Sequence, residues 1–400
     1  MEQSYTNAPQ GMQDMGTPPV FSPEQVVKGF EKMLRQIYNR TSGAMCLHFV
    51  IMLIVQIILM VIFTVMLTAQ GVSPEDAAKQ IDDPNGIWMI IMLAAGYLAA
   101  HLSAYFLGLK MTGRLKGASK LFRKPKNLTP VIIIAMIFAT FGLQSISALI
   151  QTVIQNLIGS SGMEGTAFDG LEIGSDMVHD VLLFFYIVVL GPVGEEIIMR
   201  GMMLRNTTCT SVGFGITFSA VMFGIFHGNV IQFVIGVILG LLFGYIAVST
   251  GSIIPTCLLH IMNNGYAFLN MVLVNHMSEE SFNTYSWIWI ICTSVLGIIS
   301  VVYLVKRLGR PTPSEDSPYA PVYPAPVEER KSYKWRLVFM TPCFWIFTAI
   351  YTISAISAMG LFNTDTPADT ETSSEVTTEA QTELDEAAIA SVIGQIIARS

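Results

Sequence analysis

Three charged residues lie in one of the most apolar parts of the sequence. The segment GPVGEEIIMRG, residues 191–201, contains Glu195, Glu196 and Arg200. Charges inside a bilayer are costly and normally face a bundle interior or a water-filled cavity. Glu196 and Arg200 are four residues apart, so one helical turn brings them together, with the glutamate N-terminal to the arginine as an ion pair prefers. Glu195 points about 100° away around the helix. We therefore expect Arg200 to bind Glu196 while Glu195 projects into a cavity.

Two more polar pairs follow at the same spacing. In VMFGIFHG, Phe223 and His227 share a helical face, and in LLHIMNNG, His260 and Asn264 share one. Glu195 and the two histidines, contributed by three helices, can therefore converge on one water molecule or one metal ion. A buried carboxylate is a suitable general base, and a glutamate with two histidines is a known zinc ligand set. The amide of Asn264 can donate hydrogen bonds to a developing oxyanion.

Structural interpretations compete with this hypothesis. A single histidine inside a membrane more often makes a helix–helix hydrogen bond than binds a ligand, and EExxxR alone can be a structural ion pair or part of a transport pathway. Three pairs at one-turn spacing in consecutive apolar segments favour a site. The other histidines are predicted to lie outside it: His48, His101, His179 and His276. The five isolated cysteines are predicted to be packing residues.

The elements that position these residues are membrane helices. The chain is 52% apolar and only 13% charged, and several of its apolar runs reach the roughly 20 residues that cross a bilayer as a helix. This composition predicts an all-α, polytopic transmembrane bundle of about eight or nine helices. The predicted segments are 44–69, 87–109, 130–154, 181–203, 212–228, 231–249, 253–274, 286–305 and 337–358, of which the fifth to seventh are short.

Two local patterns refine the central helices. Pro192 precedes the glutamates by one turn, where it can kink the helix and admit water. Gly236, Gly240 and Gly244 are spaced by four residues, which lets neighbouring helices pack closely.

The basic residues predict the orientation. If the nine segments alternate from a cytoplasmic N-terminus, 20 of the 22 lysines and arginines lie on the cytoplasmic side, as the positive-inside rule requires. The sequence thus predicts a multi-pass protein of the cell membrane whose C-terminal tail is extracellular. The Pro-rich segment 311–327 is predicted to be an extended, unfolded linker.

Seven regions follow from these patterns. They are a polar N-terminus with a short amphipathic helix on the inner membrane surface (1–43), N-terminal transmembrane helices (44–179), a catalytic helical core (180–275), a further transmembrane helix (276–310), a cytoplasmic linker (311–336), a last transmembrane helix (337–359) and an acidic tail rich in Thr and Ser (360–400).

The three motifs resemble those of a known family. EEIIMR, FGIFH and HIMNN are similar to EExxxR, FxxxH and HxxxN of the CPBP family, the CAAX prenyl endopeptidases and bacteriocin-processing proteins. The resemblance covers about residues 180–275. It implies that Glu195 activates the attacking water, that Glu196 and Arg200 support it, and that His227 and His260 are the two site histidines. It also implies that Asn264 holds the oxyanion and that Phe223 fills the aromatic position.

The resemblance implies an intramembrane endopeptidase acting on a peptide or protein in the lipid bilayer, either prenylated and CAAX-like or of leader type. No nucleic-acid partner is expected. Zinc held by Glu195, His227 and His260 and a metal-free glutamate–histidine mechanism both stay open. The alternatives are a catalytically silent scaffold or bacteriocin self-immunity protein and, with less support, a transporter.

Overall fold

The structure is a computed structural model that describes residues 22–83, 85–158, 173, 176–209, 211–228, 230–322 and 333–358. The predicted acidic tail, 360–400, lies outside them. The described residues form eleven helices and no strand. The helices are α1 (Pro23–Ala69), α2 (Pro74–Asp82), α3 (Ile87–Met111), α4 (Pro130–Ile158), α5 (Met177–Thr207), α6 (Val212–Phe226), α7 (Val230–Thr250), α8 (Ile254–His276), α9 (Glu279–Leu308), α10 (Tyr333–Phe339) and α11 (Pro342–Ala358).

The predicted polytopic helical bundle is confirmed. Within the described ranges, seven helices are long and apolar enough to cross a membrane, and α6 and α11 contain shorter apolar stretches. The nine apolar segments therefore correspond to nine helices, but the predicted lengths need correction. Of the three segments expected to be short, only the one in α6 is, since α7 and α8 both qualify as spans.

The N-terminal helix differs from the prediction. The amphipathic stretch does not form a separate surface helix, because it continues without a break into the first apolar segment as the 47-residue α1. Its residues Leu34 and Tyr38 are fully buried in the main core. The cause is tertiary packing: Tyr38 lies against the rings of Phe214 and Phe218, so the apolar face of this stretch meets protein.

Close helix packing at glycines confirms the predicted role of the glycine ladder. α6 packs along α7, and a Cβ on Gly236 would lie 2.9 Å from the Cα of Gly224. A Cβ on Gly240 would lie 2.8 Å from the Cα of Ala220. Side chains at these positions would force the two helices apart.

Helix α5 is locally irregular on both sides of the two glutamates. Residues Phe185–Leu190 and Ile197–Leu204 are π-helical, a geometry that is rare and frequent at functional sites. The backbone N–H of Gly191 donates to the carbonyl of Tyr186. In a regular α-helix the N–H of Gly191 would instead donate to the carbonyl of Ile187, and the next residue, Pro192, has no N–H to offer that carbonyl. The irregularity around Pro192 therefore leaves a main-chain acceptor inside the bundle.

The linker was predicted to be unfolded, and its described part is not. Residues 309–322 pack on the end of the bundle that holds the loop between α3 and α4. Asp316 forms an ion pair with Arg123 at 2.9 Å, and the N–H of Val322 donates to the carbonyl of Cys209 at 2.9 Å. Tyr319 is fully buried. These contacts join single residues that are distant in the sequence and follow no periodic pattern. The Pro-rich composition therefore predicted an extended chain and gave no sign of the docking.

Candidate active site

The three motif segments meet at one cavity of about 370 Å³. Five of the seven residues predicted for the site line it, namely Glu195, Phe223, His227, His260 and Asn264. The other two, Glu196 and Arg200, lie behind the cavity wall and are fully buried. The division predicted from the helical spacing, with one glutamate held by the arginine and one at a cavity, is the arrangement in the structure.

Arg200 is enclosed by acidic and aromatic groups. Its Nη1 lies 2.8 Å from Oε1 of Glu196. Its guanidinium carbon lies 4.7 Å from the ring centre of Phe223 and 5.4 Å from that of Phe243. Aromatic faces attract a cation most strongly where water is excluded. The aromatic residue of the second motif thus stabilises the arginine of the first.

His260 connects the two glutamates. Its Nδ1 lies 3.2 Å from Oε1 of Glu196, and its Nε2 lies 3.6 Å from Oε2 of Glu195. Because a carboxylate only accepts hydrogen bonds, Nδ1 carries the proton in the contact with Glu196, and when the ring is neutral Nε2 is an acceptor. The buried Glu196–Arg200 pair therefore fixes the ring so that Nε2 faces Glu195.

Glu195 is held from a second direction. Its Oε1 accepts a 2.6 Å hydrogen bond from the hydroxyl of Tyr97 on α3. Its side chain keeps 15% exposure in the cavity. One carboxylate oxygen is thus bound by protein, and the other faces the cavity and His260.

His227 lies at the C-terminal end of α6. Its Nδ1 is 2.8 Å from the carbonyl of Phe223 and therefore donates to it, which leaves Nε2 as an acceptor. Gly236 makes room for this ring, because a Cβ there would lie 3.2 Å from Nδ1 of His227.

Asn264 has a structural contact that the sequence did not suggest. Its Nδ2 donates a 3.0 Å hydrogen bond to the carbonyl of Ile187, the acceptor that the irregular part of α5 leaves unpaired. The amide carries two N–H groups, so one remains for a ligand in the cavity. Asn264 therefore holds α5 and α8 together beside the site.

The predicted zinc ligands Glu195, His227 and His260 all line the cavity. In the residues that the structure describes, no three His, Cys, Asp or Glu side chains are arranged to hold a metal ion. Oε2 of Glu195 and Nε2 of His260 lie 3.6 Å apart and are available to a shared ligand, whereas Oε1 of Glu195 is bound by Tyr97. Zinc binding by this set therefore stays a prediction.

Sequence reasoning missed the contribution of α1 and α3. Tyr97 and His48 both line the cavity, although His48 and His101 were predicted to lie outside the site. A signal was present: Tyr97 and His101 are polar residues four apart in an apolar helix, the same spacing as in the three motifs. Which cavity such a pair faces depends on tertiary packing, which the spacing does not specify.

The comparisons with known proteins agree with the motifs. A family model described as Rce1-like, type II CAAX prenyl endopeptidase, matches residues 177–266. No curated protein and no solved structure matches the chain. The matched segment contains all seven residues of the predicted site and runs from the start of α5 into α8. Residues 177–266 are thus similar to the Rce1-like family, which is consistent with the CPBP family that the three motifs resemble.

Proposed function

We propose that the protein is an intramembrane endopeptidase of the CPBP type that hydrolyses a peptide bond of a membrane-associated peptide or protein. One observation carries the proposal: Oε2 of Glu195 and Nε2 of His260 lie 3.6 Å apart at the same cavity. Two acceptors at this separation can each accept a hydrogen bond of about 2.8 Å from one water molecule. The family to which residues 177–266 are similar supports protease chemistry.

The mechanism begins with that water. It donates one hydrogen to Glu195 and the other to His260, so its lone pair points away from both towards a substrate carbonyl carbon. As the water oxygen bonds to that carbon, Glu195 takes its proton. The carbonyl oxygen becomes an oxyanion, to which the free N–H of Asn264 donates. When the C–N bond breaks, Glu195 returns the proton to the leaving amine, and the products are a carboxylic acid and an amine.

The buried residues keep this pair in place. Glu196 holds the imidazole of His260, and Arg200 offsets the charge of Glu196. A buried carboxylate without such a partner would be strongly unfavourable. Glu196 and Arg200 are accordingly positioning residues in this proposal, while Glu195 and His260 contact the water.

The substrate and the membrane side are parts of the same proposal. The cavity wall combines the polar groups with apolar side chains such as Met52, Leu93 and Leu239, which suits a lipid-modified or apolar peptide segment. Arg40 donates to the carbonyl of Met111 and Arg205 to that of Lys116. These contacts join basic segments at one end of the bundle and support a cytoplasmic position for that end in the cell membrane.

The test uses the purified full chain in detergent or nanodiscs. Wild type and Glu195→Ala are incubated with a prenylated CAAX peptide and with a set of membrane and leader peptides, and products are identified by mass spectrometry with and without a chelator. We expect cleavage by wild type alone. Loss of cleavage with the chelator, restored by zinc, would replace the protein-only mechanism by a metal-dependent one.

Two results would contradict the proposal. Equal cleavage by both proteins would exclude Glu195 as the base. Absence of cleavage by a folded wild type, together with full biological activity of Glu195→Ala in cells, would favour the scaffold or immunity function.

A further inference from the structure

Tyr97 bonds directly to the carboxylate that the proposed function places at the water. Its hydroxyl lies 2.6 Å from Oε1 of Glu195, a length typical of strong hydrogen bonds to a charged acceptor. Tyr97 belongs to α3 and lies outside residues 177–266, the segment that the family model matches. The Rce1-like segment alone therefore lacks one of the groups that fix its glutamate.

The tyrosine ring is itself held in place. It stacks on the ring of His101, with centres 3.6 Å apart and planes at 30°. Nδ1 of His101 lies 2.8 Å from the carbonyl of Tyr97 and 3.0 Å from Nε2 of His48 on α1. His48 and His101 are buried, and both rings also contact Phe226 of α6. The hydroxyl therefore reaches Glu195 from a rigid support built by two N-terminal helices.

A glycine next to the glutamates permits this approach. A Cβ on Gly194 would lie 3.0 Å from Cδ2 of His101 and 3.2 Å from Cε1 of Tyr97. Such distances are shorter than ordinary van der Waals contacts. The glycine in GPVGEE is thus the point at which α3 comes close enough to α5 for the tyrosine to bond the adjacent Glu195.

We propose that Tyr97 is a positioning residue for Glu195, an inference that rests on the proposed function. By binding Oε1, the hydroxyl stops rotation of the carboxylate and leaves Oε2 aimed at the water shared with His260. Without this bond, the carboxylate samples orientations in which no oxygen faces the water. The N-terminal helices thus influence the reaction through the bond from Tyr97 to Glu195. A domain limited to residues 177–266 lacks this bond, and its Glu195 carboxylate is not held in the orientation that the reaction needs.

The test variant is Tyr97→Phe, which removes the hydroxyl and keeps the ring that stacks on His101. The matched control is Tyr105→Phe. Tyr105 lies two turns along the same face of α3, is 5% exposed and packs on Gly201 of α5, but it does not line the cavity. Both variants, wild type and Glu195→Ala are assayed for kcat and KM on a peptide that wild type cleaves. Unfolding midpoints are measured in parallel.

We expect Tyr97→Phe to lower kcat by about 10- to 100-fold, the effect of losing one hydrogen bond to a charged group. KM stays within about twofold because the hydroxyl touches Glu195 and not the substrate. A purely structural role for Tyr97 would lower the unfolding midpoint and leave the kcat of the folded protein unchanged. Tyr105→Phe keeps the wild-type kcat and KM.

The failures of the two proposals are distinguishable. If wild type cleaves, Glu195→Ala does not, and Tyr97→Phe behaves like Tyr105→Phe, the inference on Tyr97 is wrong and the proposed function stands. If Glu195→Ala cleaves as wild type does, or a folded wild type cleaves nothing in the peptide set, both proposals are overturned.

Discussion

Nη1 of Arg200 lies 2.8 Å from Oε1 of Glu196, and both side chains are completely buried. The same Glu196 oxygen lies 3.2 Å from Nδ1 of His260. The ion pair therefore belongs to the framework of the proposed site and does not itself face the cavity. Loss of Arg200 alone leaves the charge of Glu196 buried without a partner. Loss of both charges leaves no such unpaired charge, so the two changes should differ in their effect on stability.

Arg200→Met is expected to lower the free energy of unfolding by about 3–5 kcal/mol, because it leaves the Glu196 carboxylate buried without its cation. The double variant Glu196→Gln/Arg200→Met should recover part of this loss, since a neutral amide still offers an oxygen to His260. Unfolding of the detergent-solubilised protein, followed by tryptophan fluorescence, measures this free energy for Arg200→Met, Glu196→Gln and the double variant. A double variant as unstable as the sum of the two single variants would show that the residues are not coupled.

The hydrogen bond from Asn264 to the Ile187 carbonyl gives a second prediction. Asn264→Leu keeps a similar volume but leaves that carbonyl without a donor, so we expect a loss of about 1–3 kcal/mol in the free energy of unfolding. Cleavage is also expected to fall, because the same amide offers the second N–H to the oxyanion.

Asn263→Leu is the control for this change. Asn263 is the preceding residue and is also buried, and its Oδ1 has no hydrogen-bond partner among the described side chains and backbone. Its replacement removes no bond to Ile187 and should be less destabilising. Equal unfolding midpoints for the two variants would mean that the contact to Ile187 contributes nothing measurable.

The parts of the site that the sequence predicted are those with local geometry. Glu196 and Arg200 are four residues apart, and the α-helix alone decides that they meet. The motif order on consecutive apolar helices also indicated that Glu195 and His260 belong to one site. Apolar length and composition predicted the bundle for the same reason, because each spanning helix is specified within its own segment.

The parts that the sequence did not predict depend on contacts between distant segments. Tyr97 and Glu195 are 98 residues apart, and no local rule states which face of α3 meets α5. The bond from Asn264 to Ile187 needs an acceptor that exists only because α5 is irregular at Pro192. The folded linker depends on individual bonds such as that between Arg123 and Asp316, which have no sequence period.

The contact between Gly236 and His227 gives a third prediction. Gly236→Ala introduces a methyl group 2.9 Å from the Cα of Gly224 and 3.2 Å from Nδ1 of His227. The Cα of Gly224 can move away only if α6 separates from α7, so we expect the free energy of unfolding to fall by about 1–3 kcal/mol. We also expect reduced cleavage, because His227 is displaced. Gly213→Ala on α6 is the control, since a Cβ there meets nothing within 4 Å. Cleavage by Gly236→Ala at the rate of Gly213→Ala would contradict this account of the ladder.

The docked part of the linker, residues 309–322, gives a prediction that depends on pH. The Ser314 hydroxyl donates to Asp316, and with Lys126 and Arg123 it holds the pKa of Asp316 at about 2, below the ordinary 3.8. A carboxyl group whose pKa is lowered by folding stabilises the folded form above its ordinary pKa and loses that effect as pH falls through the folded value. The linker should therefore stay docked at pH 4 and be released as the pH approaches 2.

Pepsin cleavage after Tyr319 measures this release, because the ring is fully buried while the linker is docked. Rates are divided by those for a free peptide of the same sequence, which removes the pH dependence of pepsin itself. We expect slow cleavage of wild type at pH 4 that rises towards pH 2, and fast cleavage of Asp316→Asn at both. Asp82→Asn, the same change at an exposed position of α2, should match wild type. If Asp316→Asn is as resistant as wild type at pH 4, the ion pairs of Asp316 do not hold the linker, and its docking depends on the apolar burial of Tyr319 instead.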